Sequence, residues 1–458
     1  MRRIVLAALL LAAATPARAQ DELDELLGGF DEAPVEVASP DSAARLLPPW
    51  LDAGGELLLL ATANLGEPDP ADASAGAPPP ARGDHRGLGH LRATLRLSLD
   101  AALPRGWKAR ASGVGMGDLA PALKGRGDYE EAYLESMEAE VELDELWLQG
   151  SAGRLDLKLG RQLLVWGMAD QLRAVDVLNP QDRREPGLVD LADLKLPVTM
   201  TRLDLRLGRW TLGGALVHEI RRDKEPAWGS EFYPLDMPPP PAEKPASEAD
   251  NTEWGLSLKG TAGKWDLGAY AARVFEDGGH VEMTPAGPAR RFARVDMLGA
   301  AFAWTRGSWL ARGEAARLEG VRVAAAPLDE QRRLDLVLGV EYSGFSETSL
   351  ALEVADRRLL GWDPAWAAAA DDPVENDWQL AARASRDFLH DRLTVMALVM
   401  GFGLADDPAG ALRLQADWEW KGGLILTPGL VLYRSGDRFP TTDLGDHDRA
   451  FCTLSWNF

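Results

Sequence analysis

The sequence predicts an all-β fold: a single antiparallel transmembrane β-barrel of about 18 strands, or about 16 as the alternative, with short periplasmic turns and long extracellular loops. Three observations lead to this prediction. Apolar and polar side chains alternate along segments of about ten residues, short connections alternate with long ones, and the last strand ends at Phe458. A closed barrel follows because a sheet that crosses a membrane must pair every backbone N–H and C=O group.

The N-terminus carries the features of an export signal. Arg2 and Arg3 precede an apolar run over residues 4–14, and Ala17-Arg18-Ala19 matches a cleavage site. The run is too short to span a bilayer, so we expect residues 1–19 to be a signal peptide and not an anchor.

The segment after this signal is acidic. We expect residues 20–55 to be a periplasmic leader, either disordered or carrying a short helix, because its apolar residues fall at helical spacing between Leu23 and Phe30. The barrel would then occupy residues 56–458.

Period-two alternation marks the strands. In one segment Leu91, Leu95 and Leu99 alternate with Arg92 and Arg96. Successive side chains of a strand point to opposite faces, so the leucines would face lipid and the charged side chains would line a polar lumen. The predicted strands are 56–65, 88–99, 106–115, 139–150, 154–163, 198–207, 210–220, 252–260, 264–275, 292–304, 308–318, 332–343, 347–356, 377–387, 391–402, 410–421, 423–434 and 448–458.

Four tryptophans open predicted strands directly after short turns. The short turns would lie at one end of the barrel, so the four indoles would lie at one height. Trp side chains concentrate at membrane interfaces, and we therefore predict a periplasmic aromatic girdle. Its members are Trp107, Trp210, Trp265 and Trp309.

The last strand carries an assembly signal. Leu454 and Trp456 share one face of the strand, and Phe458 is the final residue. A terminal Phe behind alternating apolar residues resembles the C-terminal signature of outer-membrane proteins. We expect barrel-assembly machinery to bind this strand by edge pairing, and outer-membrane lipid to surround the finished barrel.

Composition and motifs exclude several classes of protein. A net charge of −22 argues against nucleic-acid binding. The single cysteine, Cys452, allows no disulfide within the chain. The six histidines form no zinc or protease motif, and no nucleophile motif is present. We therefore expect no enzyme, no cofactor and no metal. A lipase would need a Ser–His pair at the membrane rim.

The longest predicted connection is the third long loop, at about 164–197. A loop of this length in a compact fold is usually functional or disordered. We predict that it folds into the lumen and narrows it, and that its charges set what passes. The alternative is a structured cap outside the barrel. The predicted lumen and constriction residues are Arg161, Asp170, Arg173, Asp176, Asp182, Arg183 and Arg184.

This region resembles a known family. The block runs Gly160-Arg161-Gln162, Trp166-Gly167, Asp176, Asn179-Pro180-x-Asp182 and Leu196-Pro197. It resembles a family of large Gram-negative outer-membrane barrels of unassigned function, broadly similar to alginate-export-type and other specific porins. In that family the block closes one strand and opens an inward loop. The resemblance implies an inner-membrane efflux-type transport system as partner and implies no substrate.

Two functions follow as expectations. The first is a porin-like channel or transporter for a solute in the bacterial outer membrane, with the acidic balance favouring cations. The second is a structural barrel that serves a periplasmic or envelope transport complex and uses residues 21–35 as its docking peptide.

Overall fold

The computed structural model describes residues 47–66, 83–188, 194–235, 237–323, 326–368, 373–405, 407–438 and 440–458. Its strands are β1 (Leu51–Asn64), β2 (Gly87–Ala102), β3 (Lys108–Asp118), β4 (Ala139–Ala152), β5 (Leu155–Gln162), β6 (Val198–Leu207), β7 (Trp210–Val217), β8 (Glu253–Ala262), β9 (Trp265–Phe275), β10 (His280–Thr284), β11 (Gly287–Arg291), β12 (Arg294–Arg306), β13 (Trp309–Val323), β14 (Ala326–Phe345), β15 (Thr348–Leu360), β16 (Asn376–Phe388), β17 (Leu393–Phe402), β18 (Ala409–Glu419), β19 (Leu424–Arg434) and β20 (Arg449–Asn457).

Eighteen of these strands form one antiparallel barrel, which confirms the predicted fold. Each barrel strand pairs with its neighbours along the chain, and β20 pairs with β1 to close the sheet. Phe458 extends the closing pair, because its N–H donates to Gly55 O at 2.9 Å and its carbonyl accepts from Gly55 N at 2.8 Å. The hairpin β10–β11 is separate and lies in the loop between β9 and β12.

The two faces of the wall differ as the alternation predicts. Along β2, Leu91, Leu95, Leu97 and Leu99 are between 39% and 51% exposed. Arg96 on the other face contacts Glu56 of β1 at 3.4 Å. The leucine face is therefore the outer face of the barrel, and the face that carries Arg96 is the inner one.

Several strand boundaries differ from the prediction, and two strands begin at least five residues earlier than predicted. β1 begins at Leu51, so residues 51–55 belong to the first strand and not to the leader. β14 starts at Ala326 and not at 332, and its first residues extend a hairpin with β13. That extension lacks apolar alternation because it projects past its neighbours, where no lipid selects for it. The predicted signal peptide, and the leader up to residue 46, lie outside the described residues.

Within the described residues, the two α-helices are short and lie in the loop between β3 and β4. They are α1 (Ala120–Lys124) and α2 (Glu131–Met137). Among the described residues, no helix is long and apolar enough to cross a membrane.

The inner face is not polar throughout, which corrects the expected polar lumen. Buried apolar side chains of β6, β9 and β12, such as Met200, Tyr270 and Val295, form one cluster with side chains from the loop between β5 and β6. The barrel wall and this loop thus share a hydrophobic core, which single-strand alternation does not reveal.

Candidate channel constriction

The loop between β5 and β6, residues 163–197 and called L3 below, is closed on itself by side chains of the sequence block. Asn179 accepts a hydrogen bond from Leu164 N at 2.9 Å and donates to Leu196 O at 2.9 Å. Asp176 accepts a hydrogen bond from Trp166 N at 3.1 Å. The Asp and Asn of the block therefore join the start of L3 to its end.

Asp176 is the charged centre of this loop. Its carboxylate pairs with Arg173 at 2.7 Å and contacts Lys195, and its side chain is only 1% exposed. Burial lowers the pKa of Lys195, and the charge of Asp176 opposes that effect. Asp176, which we predicted as a constriction residue, lies inside L3.

Two glutamates of the barrel wall bind the first half of L3. Glu314 of β13 accepts hydrogen bonds from four backbone N–H groups of residues 168–175, at 2.6–3.2 Å. Glu353 of β15 accepts three from residues 170–172, at 2.7–2.8 Å. Hydrogen bonds to a charged group contribute about 1.5–3 kcal/mol each. These two carboxylates therefore provide a strong attachment between L3 and the wall.

Glycine is required where L3 approaches Glu314. Gly167 has a φ of +92°, and a Cβ at this position would lie 2.2 Å from a carboxylate oxygen of Glu314. The Trp-Gly pair of the sequence block thus combines an apolar side chain with a close approach to the wall. Trp166 is 2% exposed, and its ring centroid lies 5.2 Å from that of Tyr270 on β9.

The second half of L3 contacts a different part of the wall. Tyr433 of β19 donates its hydroxyl to Pro186 O at 2.5 Å, and Arg413 of β18 donates to Gly187 O at 3.4 Å. Leu188 packs in a second apolar cluster with residues of β1, β19 and β20. L3 therefore contacts inner-face residues on both sides of the barrel.

Glu185 anchors this second half through a buried ion cluster. It lies 2.6 Å from Arg92 Nη1 and 2.6 Å from His90 Nε2, both on β2. Burial alone would raise the pKa of Glu185, but the charges of Arg92 and His90 hold that pKa below its ordinary value. Glu185 is therefore ionised at neutral pH.

The loop between β7 and β8, residues 218–252 and called L4 below, also reaches the inner wall. Glu231 lies 2.6 Å from Arg449 Nη2, 3.2 Å from His85 Nδ1 and 3.1 Å from Asn64 Nδ2. Burial opposes ionisation of Glu231, yet Arg449 and His85 hold its pKa well below the ordinary value. Phe232 packs beside this site, 4.8 Å from the ring of His447.

A third set of charges joins β4 and β5 to both loops. Arg161 pairs with Glu142 at 3.1 Å and with Glu219 at 2.6 Å. Arg184 pairs with Asp182 at 2.6 Å and with Glu140 at 2.9 Å. We call this set the β4–β5 ion-pair cluster; its members are Glu140, Glu142, Arg161, Asp182, Arg184, Glu219, Arg221 and Lys224.

The predicted constriction residues are thus brought together only in part. Arg161, Asp182 and Arg184 meet in the β4–β5 ion-pair cluster. Asp170 instead pairs with Arg383 of β16 at 3.3 Å. Arg183 is 59% exposed and pairs with Asp223 at 3.1 Å.

Sequence reasoning missed the wall residues that bind the loops. Glu314, Glu353 and Arg449 fall within predicted strands without a predicted role, and Arg92 is predicted only to face the lumen. Their alternation indicates that they face inward, but nothing local indicates a partner in a distant loop. Acidic residues among small apolar neighbours, as in Gly313-Glu314-Ala315-Ala316, are the one available signal.

The predicted girdle residues lie at the short-turn end. Trp210, Trp265 and Trp309 are the first residues of β7, β9 and β13 and are 36–50% exposed. Trp107 directly precedes β3. Trp456 and Phe458 lie at the same end, with ring centroids 5.0 Å apart.

The described residues contain no group of three or more His, Cys, Asp or Glu side chains that could hold a metal ion. His85 and His90 are buried, and each contacts a carboxylate. Their contacts are those of ion-pair partners of the two loops.

The closed barrel of 18 strands, with short turns at one end and long loops at the other, defines the class: its fold is that of a Gram-negative outer-membrane β-barrel of the porin type. A BenF-like porin from Pseudomonas fluorescens Pf-5 superposes with a TM-score of 0.54 at 10% identity, covering 89% of this chain and 98% of that chain. Acinetobacter baumannii OccAB2 gives 0.53 at 9% identity, and Pseudomonas aeruginosa OccK2 (OpdF), solved in complex with glucuronate, gives 0.52 at 13%, with the same two coverages.

The family is shown by a match over the whole chain. The family model described as "Protein of unknown function (DUF1302)" matches residues 1–458, and the chain belongs to this family. The comparison with curated proteins found no match.

Proposed function

We propose that this protein is a porin-like channel for small charged solutes, and not an enzyme, and that L3 folds inward to form its constriction. The observation that carries the proposal is the binding of L3 backbone N–H groups by Glu314 and Glu353. Glu353 follows the exposed Leu352 on β15, and Glu314 pairs with Val337 of β14, which is buried between the exposed Leu336 and Leu338; both glutamates therefore belong to the inner face. A loop that contacts this face at β13 and β15, and again at β18 and β19, crosses the interior.

Some charged side chains of L3 remain exposed, and these could select solutes by their charge. Arg183 is 59% exposed, while Arg173 and Asp170 are each 29% exposed. Charges in a narrow passage act at short range and through little water, so they discriminate between ions. With a net charge of −22, we expect a preference for cations.

Single-channel conductance tests the constriction through the Glu314→Gln/Glu353→Gln double variant. Both carboxylate oxygens of each glutamate accept backbone N–H groups, and an amide nitrogen cannot accept them. L3 should leave the wall, and conductance in planar bilayers should rise by about twofold or more, with frequent fluctuations.

Glu341→Gln is the matched control, because Glu341 is an inner-face glutamate that pairs with Arg312 at 2.9 Å. Its conductance should equal that of the wild type. If the double variant also conducts like the wild type, L3 is not the constriction. A reversal potential under a salt gradient gives the sign of the preferred ion.

The partners are proposals from the sequence. Barrel-assembly machinery would bind the strand that ends at Phe458, the tryptophans would contact lipid headgroups, and an inner-membrane efflux-type system would be the transport partner. The alternative of a docking barrel depends on residues 21–35, which lie outside the described residues. The likeness to alginate-export-type porins also stays a prediction.

A further inference from the structure

The loop-side half of β4 has a strand neighbour on one side only, within the part of the chain that the structure describes. β4 pairs with β3 over 139–149, but with β5 only over 146–152. β5 ends at Gln162, and the wall resumes at Val198. We call this gap the β4–β5 seam: residues 139–145 on one side, and the ends of β5 and β6 on the other.

The seam lies at the depth of the lipid chains. Val141 is 91% exposed and Leu143 is 49% exposed. Register through β3 places them on the same outer face as Leu95 and Leu97 of β2. An open strand edge in hydrocarbon leaves backbone groups without partners, so membrane barrels normally avoid one. The position therefore calls for another way of closing the wall.

Side chains of the β4–β5 ion-pair cluster close the seam. Arg161 donates from Nε to Leu143 O at 2.9 Å, while its Nη atoms bind Glu142 and Glu219. From L4, Lys224 pairs with Glu142 at 2.6 Å, and Arg221 contacts the same carboxylate. Long charged side chains change rotamer far faster than paired strands separate. The seam is therefore a part of the wall that can open without unfolding the sheet.

Apolar surface lies on both sides of this charged closure. On the inner side, Val198, Met200 and Trp166 belong to the buried cluster that L3 shares with the wall. On the outer side lie Val141 and Leu143. A molecule that crosses the wall at the seam would therefore meet apolar side chains at both ends of its path and the charged side chains of the ion-pair cluster in the middle.

We propose that the β4–β5 seam is a lateral opening through which amphipathic solutes, with an apolar body and a polar or charged group, pass between the barrel interior and the outer leaflet. The polar group replaces ion-pair partners of Arg161 and Glu142, and the apolar body moves from the inner cluster into hydrocarbon. The inference rests on the barrel interior being a solute path, but it does not require that path to conduct ions.

The test follows entry of N-phenyl-1-naphthylamine, a fluorescent amine that the intact outer membrane excludes, into cells with matched amounts of folded barrel. Glu140→Gln/Glu142→Gln removes the acidic half of the closure and keeps its shape. We expect dye entry at least threefold faster than with wild type, and a higher ratio of dye entry to ion conductance. Glu341→Gln should change neither quantity.

A covalent strap across the seam gives the opposite result. Glu142 and Glu219 both contact Arg161, so Glu142→Cys/Glu219→Cys in a Cys452→Ser background can be bridged by bismaleimidoethane. Bridging should reduce dye entry to that of cells without the barrel. The proposal is overturned if bridging leaves dye entry at the wild-type rate, or if dye entry and conductance change in proportion in every variant. Unchanged conductance in Glu314→Gln/Glu353→Gln would instead remove the L3 constriction alone.

Discussion

Single residues decide where β5 leaves the wall. Gly160 has a φ of +117°, and a Cβ there would lie 2.1 Å from Leu146 O of β4. Arg161, the next residue, donates to Leu143 O across the β4–β5 seam, and the buried Gln162 donates to Met200 O at 3.1 Å. The three consecutive residues of the Gly-Arg-Gln block therefore have three structural roles. Gly160 adopts a backbone angle that other residues avoid, Arg161 bridges to the backbone of β4, and Gln162 is a buried amide that donates to β6.

We predict that Gly160→Ala prevents assembly of most of the protein, because neither the backbone angle nor the space accommodates a side chain. Gly153→Ala is the control, since Gly153 has a φ of +64° and no atom within 4 Å of an added Cβ. Heat-modifiable electrophoretic mobility measures the folded fraction. Equal folded fractions in the two variants would contradict this account of the block.

At the scale of elements, L3 is attached to the barrel wall in two separate places along its length. Its first half is bound through main-chain N–H groups to two wall glutamates and through apolar packing to β6, β7, β9 and β12–β16. Its second half is attached through Arg184, which pairs with Glu140 of β4, through the buried carboxylate Glu185, and through hydrogen bonds from β18 and β19. The two halves can therefore be released independently.

We predict that Glu185→Gln frees residues 185–188 and leaves residues 164–178 bound, while Arg184 keeps its ion pair with Glu140. Removing one member of a buried ion pair typically costs about 3–5 kcal/mol, because the partner charge stays buried. Hydrogen exchange in detergent micelles should rise at residues 185–188 and stay unchanged over residues 164–178. Faster exchange over the whole loop would show that L3 is a single cooperative unit.

At the scale of the whole molecule, the closing strand pair determines whether a barrel exists. β1 and β20 pair from Glu56–Asn457 to Asn64–Arg449, and Phe458 adds two backbone hydrogen bonds to Gly55. Closure removes the two open edges that a membrane sheet cannot expose. The same strand carries the proposed assembly signal, so closure and recognition depend on the same residues.

We predict that Phe458→Ala lowers the amount of assembled barrel in cells several-fold, while Phe345→Ala does not. Phe345 is an exposed aromatic residue at the end of β14 and lies outside the closing pair. Outer-membrane fractions with equal expression provide the measurement. If both variants assemble equally, loss of an aromatic side chain from the closing strand has no specific effect.

The sequence by itself predicted about 18 strands, with 16 as the alternative, the lipid-facing side of the alternating strands, and an end of the barrel that carries the long loops. These properties depend on local contact with lipid or water, which imposes a period of two on consecutive residues. The 18 predicted strands correspond one to one to the barrel strands of the structure. The predicted strand boundary is wrong where a strand extends beyond the lipid, as at the first residues of β14, because contact with lipid does not impose the alternation there.

Only the tertiary structure decided which loop residues meet which residues of the barrel wall. Met168 and Glu314 are 146 residues apart in the chain, and Glu231 and Arg449 are 218 apart. Their meeting depends on how far each strand is shifted relative to the next and on where the sheet closes. The unpaired half of β4 likewise depends on L3 leaving the wall at Gln162. The alternation of apolar and polar residues along one strand predicts neither feature. It indicates which face of the sheet a side chain lies on, but not which distant residue that side chain contacts.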